Sequence, residues 1–111
     1  MRQYNPDKWL ILKINDGVYT LYKVFGSWYG GYLDGDSWRV NSGITKITFD
    51  KKINSYQFFG ESGSIYICHK DCYGISAYGS SVLQEFIDMS NGGIESLTEE
   101  QFLRMRSDFD K

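Results

Sequence analysis

All nine tyrosines of this chain fall within residues 1–78, and sixteen of its nineteen aromatic residues lie there too. Rings of this kind suit a pleated, half-buried surface, so the first 78 residues must be largely strand. Nine of the twelve glycines are in the same stretch, between the strand-like runs, where turns require them. The single proline, Pro6, stands ahead of those runs and interrupts none of them.

Trp9–Ile14 is an apolar run, followed by Asn15, Asp16 and Gly17 and then by Val18–Phe25. Two strand-like runs joined by Asp-Gly predict a hairpin, with Asp16–Gly17 as a primed turn. Gly26 breaks the pattern. Trp28–Leu33 then predicts a strand kinked at Gly30–Gly31, and Ser37–Val40 a short one. Ile44–Phe49 alternates, which puts Thr45, Ile47 and Phe49 on one face. Tyr56–Phe59 and Ser64–Cys68 complete the series. Closely spaced strands with local turns point to an antiparallel meander over residues 8–70, curled into a small barrel or half-barrel of five to six strands.

The pattern changes at Ser81. Val82, Leu83, Phe86 and Ile87 share a helical face, and Ser81 with Gln84 reads as a capping box. Thr98 with Gln101 is a second one, with Leu97 and Phe102 as a hydrophobic staple. Glu99 and Glu100 in the first turn, and Arg104 and Arg106 further on, suit the helix dipole. The second helix has a thin apolar stripe and reads as peripheral; the first reads as the cover over one open face of the sheet. The expected architecture is α+β in one domain, 1–111, with one or two helices in 81–109. At 111 residues the chain has room for little else.

Charge divides where the aromatics do: net +2 over residues 1–78 and −4 over residues 79–111. Only Lys51 and Lys52 are adjacent, so the clustered cations of a general nucleic-acid binder are missing. No apolar run approaches the ~18 residues of a transmembrane helix, and the N-terminal residues lack the apolar core of a signal peptide. A cytoplasmic protein without membrane partners is expected.

Cys68-His69-Lys70-Asp71-Cys72 is the one cluster with metal or thiol character. A structural zinc site takes four ligands, and no other Cys or His exists in the chain. A Cys72 nucleophile assisted by His69, with Asp71 as orienting carboxylate, matches no local signature. The bland reading is a core Cys68, an exposed His69 and free thiols, with no metal and no cofactor. Gly60-Glu61-Ser62-Gly63-Ser64 approaches a nucleophile elbow but ends in Ser and lacks the αβ context, so it reads as a hairpin turn. Asp34-Gly35-Asp36-Ser37 lacks the helices and the closing Glu of a calcium loop and reads as a capped turn. Trp28, Tyr29, Tyr32, Trp38 and Arg39 form the densest aromatic stretch. They are core rings on one reading. On the other they are partner-binding anchors, since Trp, Tyr and Arg are the residue types of interface hot spots.

The strings Gly31-Tyr32-Leu33-Asp34-Gly35-Asp36-Ser37-Trp38-Arg39, Asn41-Ser42-Gly43-Ile44 and Phe59-Gly60-Glu61-Ser62-Gly63-Ser64-Ile65-Tyr66 resemble a group of small uncharacterised proteins of tailed phages and prophages. The resemblance spans residues 9–75. It transfers no activity and no catalytic residue, and it implies expression in the cytoplasm of an infected bacterium. The resulting expectation is a non-enzymatic binding protein that engages a host protein, for instance to inhibit an antiviral defence system such as a CRISPR effector. A small-ligand binder, holding a nucleotide or sugar in a barrel mouth by stacked aromatics, is the alternative. A small Cys72/His69 enzyme is the third.

Overall fold

The structure is a computed structural model that describes residues 2–31 and 35–109. Its strands are β1 (Gln3–Tyr4), β2 (Lys8–Asn15), β3 (Thr20–Gly31), β4 (Gly35–Val40), β5 (Ile44–Asp50), β6 (Ser55–Gly60), β7 (Ile65–His69) and β8 (Ile94–Ser96). Its helices are α1 (Ala77–Met89) and α2 (Glu99–Arg106). The class is α+β, as expected. The strands form two four-stranded sheets, β1-β7-β6-β5 and β4-β3-β2-β8, rather than one curled sheet, and the sheets do not close into a barrel. Among the strands described, all pairings are antiparallel except β1 with β7, and an isolated parallel bridge joins Trp9 to Tyr73.

Strand β2 explains the arrangement. Trp9, Leu10, Ile11 and Leu12 are all buried, so successive residues need apolar cover on opposite faces. Trp9 and Ile11 face the β5–β7 sheet, against Tyr56, Phe58, Tyr66 and Cys68. Leu10 and Leu12 face α1, with Phe25 and Leu83. The molecule therefore has three layers, sheet on sheet and helix on sheet, with β2 in the middle.

Helix α1 covers the outer face of its sheet through Val82, Leu83, Phe86 and Ile87. It starts five residues earlier than the Ser81 box predicts. Ser76 is the N-cap, and its Oγ accepts from Gly79 N at 3.0 Å. Ser81 Oγ instead donates to Ala77 O, and Gln84 reaches forward to Asp88. Gly79 lies in the first turn, where a Cβ would come within 3.0 Å of Ile75 Cγ1 and 3.2 Å of Ser76 Oγ, so the missing side chain leaves the capping serine its place. The predicted helical segment also contains a strand, β8, which extends the β2 edge. Helix α2 has its capping box at Thr98 and Gln101. It is not peripheral: Phe102 and Met105 are buried in the core between the sheets.

Two strand details depart from the sequence pattern. Strand β3 runs straight through Gly26, because a Cβ there would meet Pro6 at 3.0 Å and glycine gives the proline ring its seat. In β5 the register shifts between Ile44 and Lys46. Ile44 and Ile47 therefore both turn inward, and Thr45 is exposed, its hydroxyl donating to Phe59 O.

The chain changes sheet at Asn41, directly after β4. Asn41 is buried; its N donates to Val24 O at 3.1 Å and its Oδ1 accepts from Val24 N at 2.8 Å. One side chain thus satisfies a buried backbone donor that no strand reaches. Asn41→Ala leaves that donor orphaned and is expected to cost about 1–3 kcal/mol of unfolding free energy, read by urea denaturation. The β2–β3 hairpin is present, but its turn lies one residue later than Asp16–Gly17. Asp16 N donates to Tyr19 O, Asp16 Oδ1 accepts from Val18 N and Tyr19 N, and Gly17 has φ of +93°. Nothing lies within 4 Å of a Cβ built on Gly17, so Gly17→Val costs only backbone strain, about 1 kcal/mol or more, seen as a lowered melting temperature.

Candidate functional site

The segment between β1 and β2 fixes the outer part of β3. Asn5 O accepts from Trp28 Nε1 at 3.0 Å, Asp7 N donates to Ser27 O, and Asp7 Oδ2 accepts from Tyr29 N at 2.8 Å. Beyond Trp28 the β3–β4 register shifts before pairing resumes at Gly31 with Gly35. Among the described residues, β4 is an edge strand.

This geometry divides the predicted aromatic set between two faces. Trp38 faces the helix layer, parallel to Phe25 at 5.8 Å and edge-on to Phe86 at 5.1 Å, yet remains 36% exposed. Arg39, its neighbour along the strand, points the other way and lays its guanidinium 4.7 Å over the Tyr4 ring. Trp28 is half-buried and meets the same Tyr4 edge-on at 6.4 Å. Tyr29 is 56% exposed. Tyr32 lies outside the described residues, as does Asp34 of the predicted capped turn. The five residues are therefore not one patch. Tyr29 and Trp38 present open ring surface, whereas Trp28 and Arg39 belong to a cluster around Tyr4.

That cluster borders a groove of about 620 Å³ lined by Arg2, Tyr4, Arg39, Ser62, Gly63 and Ser64. Three separate stretches of chain build it. Parallel pairing of β1 with β7, extended by the hydrogen bond from Ile65 N to Arg2 O, brings Arg2 and Tyr4 to the β6–β7 turn. That turn is tied to the sheet crossover: Ser62 N donates to Ser42 Oγ at 2.9 Å, and Ser42 Oγ donates to Ser62 Oγ at 3.2 Å. Gly60-Glu61-Ser62-Gly63-Ser64 is thus a hairpin turn, as its sequence suggests, and it also lines a groove. Below, Tyr66 packs against Tyr4 at 4.9 Å. Burial pushes its phenol up to about 12, with the Arg39 charge pulling in the opposite direction.

No family model, curated protein or solved structure matches the chain.

The Cys-His cluster sits at the far end of β7. Cys68 is completely buried, and burial drives its thiol well above the ordinary value, the nearby Cys72 adding to the effect. His69 is half-buried; its Nδ1 accepts from Asp71 N at 3.1 Å and caps a short 3-10 turn, Lys70–Cys72. Cys72 is half-buried, and both thiols are free. Among the described residues no three potential metal ligands converge, and no helix is long and apolar enough to cross a membrane.

Of the groove, the sequence singled out Arg39 and the serine turn but not Arg2 or Tyr4. Nothing in the sequence signals a two-residue parallel strand, since its partner is 62 residues away.

The thiol geometry has a direct check. With iodoacetamide at about pH 8, native protein is expected to label at Cys72 alone, and Cys68 only after denaturation, as located by peptide mass spectrometry. Labelling of Cys68 first would contradict its position in the core.

Proposed function

We propose that the chain is a non-enzymatic, phage-encoded binding protein that engages a host protein in the bacterial cytoplasm through the outer part of β3 and β4. The observation that carries this reading is Tyr29, 56% exposed, whose backbone N donates to Asp7 Oδ2, with Trp38 on the neighbouring edge strand. An exposed tyrosine has only two side-chain torsions to order when a partner covers it, which is how aromatic anchors concentrate binding energy. The edge of β4, unpaired among the described residues, adds backbone donors and acceptors for the same partner. Inhibition of an antiviral defence protein, a CRISPR effector for example, is a role that steric capture of this kind would serve. Glu99 supplies negative charge elsewhere on the surface for a partner that normally binds nucleic acid, whereas Glu95 and Glu100 are paired with Lys13 and Arg104.

The test is capture of a stoichiometric partner from bacterial lysate by the wild-type chain and by Tyr29→Ala. Tyr29→Ala is expected to leave the melting temperature unchanged and to weaken capture by about thirtyfold, the loss typical of one hot-spot residue. Trp38→Ala is expected to lower stability by about 1 kcal/mol through its lost contacts with Phe25 and Phe86. Undiminished capture by Tyr29→Ala would remove this face from the interaction.

A further inference from the structure

We infer that the groove between β1, β4 and the β6–β7 turn is a binding site for the phosphate monoester of a small organic ligand, with Arg2 and Arg39 as its anion grips. The inference is independent of the protein-capture reading, which rests on Tyr29.

Among the described residues the groove has the donors that a phosphate needs and few groups that oppose it. Two guanidiniums line it, together with the hydroxyls of Ser62 and Ser64, whose oxygens are 3.4 Å apart. Among the described residues neither arginine is paired with a carboxylate. The turn's own carboxylate, Glu61, is folded back toward Gly43 and is not part of the lining.

Arg39 is the better prepared of the two. Its guanidinium is stacked over Tyr4, and Tyr4 is fixed in turn by Tyr66 and Trp28. Stacking occupies a face of the guanidinium and leaves its N–H edge free, the edge that grips two oxygens of a phosphate at once. Arg2 is anchored through its backbone, because its carbonyl accepts from Ile65 N at 2.9 Å. Its side chain is exposed and free to close on a ligand.

Size selects the ligand class. At about 620 Å³ the groove lies within the range of sites that hold whole small molecules. Inorganic phosphate would fill a small part of it. A sugar phosphate or a nucleoside monophosphate has the matching combination of one dianionic group and a polar organic body.

The experiment is calorimetric titration of the full chain with adenosine monophosphate, ribose 5-phosphate, inorganic phosphate and adenosine. Adenosine monophosphate, ribose 5-phosphate or both should bind with Kd below about 10 mM, more tightly than inorganic phosphate and more weakly as salt rises. Binding of both would show that the sugar phosphate suffices; binding of the nucleotide alone would show that the base is read as well. Arg39→Gln and Arg2→Gln should each weaken binding about tenfold or more, whereas Lys52→Gln and Tyr29→Ala should not change it. Arg2→Gln retains the backbone bond to Ile65, so its effect does not depend on the fold surviving loss of the Arg39–Tyr4 stack. The inference is overturned if no phosphate ester binds, if adenosine binds equally well, or if both arginine variants bind like wild type.

Discussion

The buried indole of Trp9 holds the two sheets together. Its Nε1 donates to His69 O at 2.7 Å, which joins the central strand of one sheet to the end of β7 in the other. Its ring meets Tyr56, Phe58, Tyr73 and Phe102, so the second sheet, the segment after β7 and helix α2 all pack on one side chain. Tyr73 continues the tie. Its hydroxyl accepts from Ile11 N and donates to Leu97 O, bridging β2 and the residue that leads into α2. Burial pushes that phenol up to about 12, as befits a hydroxyl that must stay protonated to donate.

Local patterning made much of this legible. The Asp-Gly hairpin, the strand series from Ile44 to Cys68 and the Thr98–Gln101 capping box are decided by residues within a few positions of each other, and each appears in the structure. The number of sheets is not decided locally. Four consecutive buried residues in β2 imply cover on both faces, but a short apolar run does not reveal whether that cover is a helix, a second sheet or both. The start of α1 was obscured because Ser76 and Ser81 are both plausible caps, and it is Ser76 whose Oγ accepts from Gly79 N.

The candidate site was less legible, for the same reason. Alternation along β4 sends Trp38 and Arg39 to opposite faces, so a cluster that is dense in sequence is divided in space. Tyr4 and Arg39 are far apart in sequence and stacked in the fold. The register shift after Trp28 was foreshadowed by Gly30–Gly31, but the clamp that fixes the neighbouring rings comes from Asn5, Pro6 and Asp7, residues with no pattern of their own.

The groove straddles the two sheets. Arg2, Tyr4 and the serine turn belong to one of them, whereas Arg39 rides on the edge strand of the other. The chain passes between the sheets a short way beyond Arg39, at Asn41. Any shear of one sheet over the other would change the spacing of the two guanidiniums. A molecule seated between the arginines would therefore act as a clasp, and its occupancy would register as a stiffening of the whole sandwich.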